Sequence, residues 1–221
     1  MEAEKIAENA RQVLAEIPEN VIVVAAAKTR TALEVKAVAE AGITHIGHNY
    51  VQEAQAMRNL MGVAYTWHMI GHIQANKTSR AVRLFDVIET VDSVELAEEI
   101  DKTCAKLGKV MPVFIEVNSG REENKAGIFP ETASELVASL SGLQNLEIQG
   151  LMTMGPFVED GEVLRPYFKR TRQLFDELKQ MQQVNLKLKY LSMGMSDSYL
   201  VAIEEGANIV RIGTKIFGSR T

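Results

Sequence analysis

The strongest constraint on the fold is a regular alternation of short apolar runs with longer helical segments. The first run, VIVVAAAK at 21–28, is almost wholly apolar and β-branched, which is typical of a strand buried on both faces of a parallel sheet. A segment with helical periodicity follows each run. The predicted strands cover residues 21–28, 44–49, 66–71, 86–91, 111–118, 146–154, 187–194 and 207–213.

Eight strand–helix units predict an α/β protein and favour a closed (β/α)₈ TIM-type barrel. An open doubly wound sheet stays as the alternative. No Pro- or Gly-rich linker divides the chain, so we expect one domain over residues 1–221. Residues 1–18 carry Ile6, Val13 and Ile17 on one helical stripe and predict an N-terminal helix that packs on the barrel.

Composition and charge exclude several classes of protein. The formal charge is −5, from 24 basic and 29 acidic residues, so no nucleic-acid or anionic-membrane partner is expected. No signal peptide and no apolar run of ~18 residues is visible, which predicts a cytoplasmic protein. Cys104 is the sole cysteine, and His68 and His72 flank a strand-end glycine, so no metal site is expected.

Lys28 is the most informative residue at the strand ends, where a barrel of this type places its chemistry. It follows seven apolar residues. A lysine at such a place is partly desolvated, which favours a neutral amine able to attack a carbonyl. The alternative is a lysine that extends to the barrel rim or pairs with a carboxylate. Position alone leaves both interpretations open.

The ends of the last two strands predict a phosphate site. SMGMS supplies Ser192, Gly194 and Ser196, and RIGT supplies Gly213 and Thr214. Loops after strands seven and eight, with a short extra helix, frequently bind phosphate in such barrels. The alternative is structural, with Ser196 capping the next helix and Gly213 turning the chain.

Arg211 precedes Gly213 by two residues and therefore projects on the same side of its strand. If Lys28 holds a phosphorylated aldehyde with its phosphate at Gly213 and Thr214, Arg211 points at the ring. A permanently charged guanidinium keeps a pyridine nitrogen there unprotonated. The ring is then a weak electron sink, which disfavours chemistry that needs a full carbanion.

Seven segments, in the same order along the chain, resemble the pyridoxal phosphate homeostasis protein family, the YggS/PROSC-like proteins. That family is similar to the N-terminal domain of alanine racemase. The segments are AAAKTR (25–30), GHNYVQEA (47–54), WHMIGHIQANK (67–77), EVNSGREENKAGI (116–128), GLMTMGPF (150–157), LSMGMSDSYLVAIEEGA (191–207) and VRIGTKIFGSR (210–220).

The resemblance implies that Lys28 binds pyridoxal 5′-phosphate as a Schiff base. It also implies that Ser192, Gly213 and Thr214 belong to the phosphate-binding stretch. Arg211 matches the arginine that faces the pyridine nitrogen, and Asn49 lies in the motif beside the ring. One residue departs from the pattern, because His48 stands where the family usually has the glutamate of G-E-N-Y-V-Q-E.

The family implies a carrier or regulator in vitamin B6 homeostasis, not an enzyme with established turnover. Alanine racemase needs a second base, a tyrosine from a separate domain, and this sequence ends at Thr221, after the eighth unit. We expect a monomer that delivers the cofactor to apo-enzymes. Two alternatives are a small racemase-like enzyme and a cofactor-free aldolase that uses Lys28.

Four further residues or pairs are expected to have structural roles. Asp92 and Ser93 predict a helix cap, and Cys104 lies on the apolar face of that helix. Met152 and Met154 are expected to fill the barrel. Lys125 is expected to be a solvated lysine in the loop after the fifth strand.

Overall fold

A computed structural model describes residues 2–62, 64–156, 158 and 160–219 of the chain. The strands are β1 Ile22–Ala26, β2 His45–His48, β3 Thr66–Met69, β4 Val87–Val91, β5 Met111–Glu116, β6 Leu146–Met152, β7 Leu186–Ser192 and β8 Ile209–Ile212. The helices are α1 Glu2–Glu16, α2 Ala32–Glu40, α3 Val51–Met61, α4 Thr78–Leu84, α5 Val94–Leu107, α6 Ala133–Ser139, α7 Arg165–Leu178, α8 Tyr199–Glu204 and α9 Thr214–Phe217. Within these described ranges, no helix is both long and apolar enough to cross a membrane. The predicted domain also includes six residues outside the described ranges: Met1, Val63, Phe157, Glu159, Arg220 and Thr221.

The eight strands form a closed parallel barrel in sequence order, which confirms the predicted fold and excludes the open sheet. Closure comes from β8, which pairs with both β7 and β1. In that register Val24 lies opposite Arg211. The first and last predicted site residues are therefore neighbours in space, although almost the whole chain separates them.

Alternation along the strands creates an inner and an outer core. A small inner cluster contains Val24, Phe114, Met152 and Ile209, which confirms that Met152 fills the barrel. The much larger outer cluster packs the helices against the sheet. Because the inner cluster is small, polar side chains occupy the rest of the barrel interior.

Seven of the eight observed strands end one or two residues before their predicted ends, and β4 ends where predicted. β1 stops at Ala26 and β6 at Met152, so Lys28 and Met154 belong to loops. Met154 is exposed, and the prediction that it fills the barrel was wrong, because the chain has left the sheet at that point. Polar residues after a strand are thus free to turn toward the mouth of the barrel.

Helix α1 holds the C-terminal segment in place. Ile6, Ala10 and Val13 are buried on one face, and α1 packs against α2 and α9. The Asn9 side chain donates to the Ile216 carbonyl at 3.0 Å. The N-terminal helix therefore positions α9, the segment that carries Thr214.

Helix α5 begins and ends as its sequence predicts. The Ser93 hydroxyl accepts a hydrogen bond from the Leu96 amide at 3.3 Å, and Gly108 ends the helix in the left-handed conformation. Cys104 is buried, as predicted. The predicted cap role of Asp92 was wrong, because its carboxylate accepts from the Gly127 amide at 3.4 Å instead.

Candidate functional site

A cavity of about 210 Å³ opens at the carboxyl ends of β1, β7 and β8. It brings together five of the residues predicted from the sequence: Lys28, Ser196, Arg211, Gly213 and Thr214. Ala26, Arg30, Met195 and Asp197 complete its wall. The cavity thus combines an amine, a guanidinium and hydroxyl groups in one small space at the barrel mouth.

Lys28 reaches this cavity because of its place in the alternation of β1. Val24 faces the barrel interior and Ala26 lines the cavity, so Lys28 continues the same inward series. The next residue, Thr29, has φ +63°, an uncommon conformation for a residue with a Cβ. Its amide donates to the Glu53 carboxylate at 3.1 Å. This contact stabilises the sharp turn directly after Lys28.

Ser196 joins the loop after β7 to the start of α9. Its hydroxyl accepts hydrogen bonds from the amides of Gly213 and Lys215, at 3.3 and 3.2 Å. The structural alternative for Ser196 was wrong, because α8 begins at Tyr199 and Ser198 occupies its N-cap position. Gly213 does turn the chain, since it directly precedes α9. The two loops together form one wall of the cavity.

Arg211 is only 4% exposed and is held by three hydrogen bonds. Its guanidinium donates to the carbonyl and the hydroxyl of Ser192, each at 2.7 Å, and to the Thr153 carbonyl at 2.8 Å. Burial lowers the pKa of Arg211, while the carboxylates of Glu89 and Glu116 raise it. The group therefore has a fixed position at the edge of the cavity.

Three predicted site residues lie elsewhere. The Ser192 hydroxyl is buried and contacts Glu89 and Arg211, and Ser192 is not among the residues that line the cavity. Gly194, at φ +92°, approaches α8, where a Cβ would come within 2.6 Å of Ala202. Asn49 lines a separate hollow of about 400 Å³. Their binding roles stay predictions.

Lys125 lies in the predicted loop after β5. Its ammonium group donates to the Gly155 carbonyl at 2.8 Å and pairs with Glu122 at 2.5 Å. Its side chain keeps 30% exposure, so the predicted loop lysine is partly solvated. Its amine is tied to the loops after β5 and β6.

The sequence interpretation missed two buried carboxyl groups inside the barrel. Glu89 on β4 and Glu116 on β5 both point inward, with 0% and 5% exposure. The signal was available, because each is a charged residue in an otherwise apolar run, DVIETV and MPVFIEVN. Buried charges are rare without a partner or a function.

Glu116 has an unusual protonation state. Burial, with a further contribution from the nearby Asp92, raises the pKa of Glu116 to about 7, although the charge of Arg211 opposes this change. Its Oε2 atom has no hydrogen-bond partner among the described residues. A large fraction of the protein therefore carries Glu116 as a neutral acid at pH 7.

His48, the residue that departs from the family pattern, lies between the barrel and the helices. It is 1% exposed and stacks on Trp67, with the ring centroids 5.8 Å apart. Neither ring nitrogen has a hydrogen-bond partner within the described part of the chain. Burial lowers the pKa of His48 to about 4, so the ring is neutral at pH 7.

His48 is expected to make the protein sensitive to acid. A histidine in the unfolded chain has a pKa near 6.5, and folded His48 has a pKa of about 4. Between these two pH values the unfolded state binds more protons than the folded state. The free energy of unfolding therefore decreases as the pH falls. We expect His48→Leu to raise the free energy of unfolding at pH 5 by about 2 kcal/mol more than at pH 8. Urea unfolding at both pH values measures this difference.

His48→Gln is the matched control for that prediction. It removes the titrating ring but keeps a buried polar group. Like the leucine variant, the glutamine variant should no longer show the acid sensitivity that comes from His48. At pH 8 its free energy of unfolding should be lower than that of the leucine variant, because a polar group stays buried. Equal acid sensitivity in the wild type and both variants would contradict the assignment.

No group of three or more histidine, cysteine, aspartate or glutamate side chains in the described ranges has the arrangement of a metal site. His68 contacts Glu89 and His45 instead. His72 is exposed on the loop after β3, with Nδ1 4.0 Å from the Asp92 carboxylate. The two histidines therefore point in different directions.

Comparison with protein families and curated sequences gives consistent matches over most of the chain. The model of the alanine racemase N-terminal domain matches residues 1–221. A pyridoxal phosphate homeostasis protein from Aquifex aeolicus is 44% identical over 180 residues, which cover 81% of this chain and 78% of that protein. One from Pseudomonas aeruginosa is 35% identical over 226 residues, covering 97% and 96%.

Solved structures match equally well. PipY of Synechococcus elongatus, solved without PLP, has a TM-score of 0.90 and 36% identity, and covers 96% of this chain and 100% of that one. PipY with PLP bound gives a TM-score of 0.88 and 34% identity with the same coverage. An alanine racemase from Clostridium difficile 630 has a TM-score of 0.80 at 16% identity, with 99% of this chain covering 60% of that one. That last match concerns the fold alone.

Proposed function

Because the chain belongs to the alanine racemase N-terminal domain family and, within it, to the pyridoxal phosphate homeostasis proteins, we propose that it binds pyridoxal 5′-phosphate. Its role is that of a carrier or regulator in vitamin B6 homeostasis. The observation that carries the proposal is the cavity that Lys28 shares with Ser196, Arg211, Gly213 and Thr214. The PLP-bound structure of PipY, a homologue covered at full length, supports it.

The donor set of the cavity fits the chemical groups of this cofactor. The hydroxyls of Ser196 and Thr214 and the amides near Gly213 are neutral donors suited to a phosphate. Ser196 already accepts from two of these amides, which shows that they converge on one oxygen. The Arg211 guanidinium lies beside them, where it would keep a ring nitrogen unprotonated.

Lys28 supplies the covalent link in this proposal. The deprotonated form of its amine would add to the aldehyde carbon of the cofactor, so that a C=N bond replaces the C=O bond and one water molecule leaves. The product is the Schiff base that holds the cofactor. In this proposal the donors at Ser196, Gly213 and Thr214 hold the phosphate, so the cofactor is bound at two points.

The same residues favour a carrier over a catalyst. The walls of the cavity, as far as the chain is described, contain no tyrosine that could act as a second base. Tyr50 lines the hollow at Asn49, and the Tyr199 hydroxyl is engaged by Glu16 and Lys215. Incubation of the loaded protein with L-alanine or D-alanine should therefore leave enantiomeric purity unchanged. Measurable racemisation would contradict the carrier role.

The proposal extends to partners and location. The protein acts in the cytoplasm as a monomer and hands its cofactor to apo-enzymes that use pyridoxal phosphate. Light scattering of the loaded protein tests the monomer. Mixing it with an apo-aminotransferase tests the transfer, which should restore transaminase activity faster than the spontaneous release of cofactor allows.

Borohydride reduction tests the covalent link directly. Reduction converts the Schiff base to a stable secondary amine, and proteolysis then locates the pyridoxyl group by mass. We expect the label on the peptide that contains Lys28, at close to one group per chain. A label on Lys125 or on other lysines, with Lys28 unmodified, would overturn the proposal.

A further inference from the structure

A continuous chain of polar contacts crosses the barrel interior below the cavity. His45 Nδ1 lies 2.8 Å from His68 Nε2, and His68 Nδ1 lies 2.6 Å from Glu89 Oε1. Glu89 Oε2 accepts from the Ser192 hydroxyl at 2.5 Å, and Ser192 accepts from Arg211 at 2.7 Å. The chain therefore connects the start of β2 to the guanidinium at the edge of the cavity.

The direction of the hydrogen bonds is fixed on the Arg211 side of this chain of contacts. Arg211 can only donate, so the Ser192 hydroxyl accepts from it and donates its own proton to Glu89. On the other side, His68 donates through Nδ1 to the second Glu89 oxygen, because a carboxylate only accepts. One proton is shared between His68 Nε2 and His45 Nδ1, and either ring can donate it. Burial and the charge of His68 lower the pKa of His45 to about 4, so His45 is the neutral ring of the pair at pH 7.

Glu89 is the acceptor on which both sides of the chain end. Burial alone would raise its pKa, but the hydrogen bond and charge of His68, the charge of Arg211 and the Ser192 hydroxyl lower it instead. Its Oε2 atom lies 4.0 Å from the guanidinium. A buried carboxylate and a buried guanidinium thus balance each other across Ser192.

We propose that Glu89 is a positioning residue that fixes the orientation and charge of Arg211 toward the bound cofactor. This inference rests on the proposed function. Without the carboxylate, the Ser192 hydroxyl loses its acceptor and the guanidinium loses a counter-charge in a buried place. Arg211 then has more than one favourable arrangement, and its edge of the cavity becomes less well defined.

Glu89→Gln in the loaded protein tests the inference. The side-chain amide keeps the shape of glutamate, but its NH₂ group replaces one of the two accepting oxygens. Either His68 or Ser192 then faces a donor in place of its acceptor, and that hydrogen bond is lost. We expect the dissociation constant for pyridoxal phosphate to rise by about tenfold. The absorption maximum of the bound cofactor should also move, because the charge near its ring has changed. Borohydride labelling of Lys28 should persist.

Asn185→Ala is the matched control. Asn185 is also buried, and its amide donates to the carbonyls of Leu140 and Leu143 at 2.8 and 2.9 Å, away from the cavity. This variant should lose stability without any change in cofactor affinity or spectrum. If Glu89→Gln does not fold, Ser192→Ala breaks the same chain and should change affinity and spectrum in the same direction by a smaller amount.

The outcomes separate this inference from the proposed function. A wild-type protein that takes no label on Lys28 overturns the proposed function and with it the role of Glu89. A wild-type protein that is labelled, together with a folded Glu89→Gln variant of unchanged affinity and spectrum, overturns the inference alone. Equal spectral shifts in Glu89→Gln and Asn185→Ala would likewise reject a specific role for Glu89.

Discussion

The Lys28→Ala variant is expected to lose all borohydride-trapped cofactor. The side chain that we propose forms the Schiff base is then absent. The series of inward-facing residues that continues from β1 then ends in an alanine, which has no amine. The proposed phosphate donors at Ser196, Gly213 and Thr214 remain in the cavity. The variant should therefore still bind pyridoxal phosphate reversibly but release it on gel filtration. Mass spectrometry of the reduced protein and absorbance of the filtered protein measure the two effects.

Two matched variants show whether the amine itself is responsible. Lys28→Arg keeps a positive charge near the phosphate, but a guanidinium does not form a stable Schiff base under these conditions. It should bind more cofactor than the alanine variant and take no label. Lys125→Ala removes an amine from the loop after β5, which is tied to Gly155 and Glu122, and should be labelled on Lys28 like the wild type.

Each variant also has an outcome that would count against the assignment. Full labelling of Lys28→Ala at another lysine would show that the cavity does not select one amine. Loss of label in Lys125→Ala alone would move the covalent site to the loop after β5. Circular dichroism and thermal unfolding confirm that each variant is folded before these results are compared.

Closure of the barrel explains why much of the site could be predicted from the sequence. Lys28 follows the first strand and Arg211 lies in the last, and parallel closure makes such strands adjacent. Two-residue spacing between Arg211 and Gly213 then places both on one side of β8. The proximity of these residues depends on topology and alternation alone, and both can be deduced from the sequence pattern.

Depth within the barrel could not be deduced in the same way. Ser192 is the last residue of β7, and its hydroxyl contacts Glu89 inside the barrel, a contact that the sequence did not predict. Its hydroxyl position depends on which acceptor faces it from another strand. Strand register and side-chain conformation decide that contact, and neither is determined by the local sequence.

The two glutamates of the interior show a related limit. Each interrupts an apolar run, so the sequence marks both as unusual, but it does not say that their pKa values shift in opposite directions. Glu89 faces His68, Ser192 and Arg211, whereas Glu116 has a buried oxygen without a partner in the described part of the chain. The difference arises from three-dimensional neighbours on other strands.

Glu116→Gln is expected to stabilise the protein at alkaline pH. An unfolded glutamate titrates near 4.5 and Glu116 near 7, so between these values the folded state binds more protons than the unfolded state. Wild-type stability therefore falls as the pH rises through this range. Glutamine is neutral throughout, and we expect the variant to be more stable than the wild type by up to about 3 kcal/mol at pH 8. Below pH 4 the two proteins should have nearly the same free energy of unfolding. Urea unfolding of the cofactor-free proteins from pH 4 to 8 measures the difference.

Glu89→Gln provides a control of opposite sign in the same barrel. The pKa of Glu89 is lowered, so its ionised form stabilises the folded state at high pH, and that contribution disappears as the pH falls. Glu89→Gln should therefore lower the free energy of unfolding at pH 8, and it should lower it by a smaller amount at pH 4. The two variants remove the same charge from the same interior, so a general effect of net charge would change both in one direction. Opposite signs at pH 8 would show that the contacts of each carboxyl group decide the result, and equal signs would contradict the assigned protonation of Glu116.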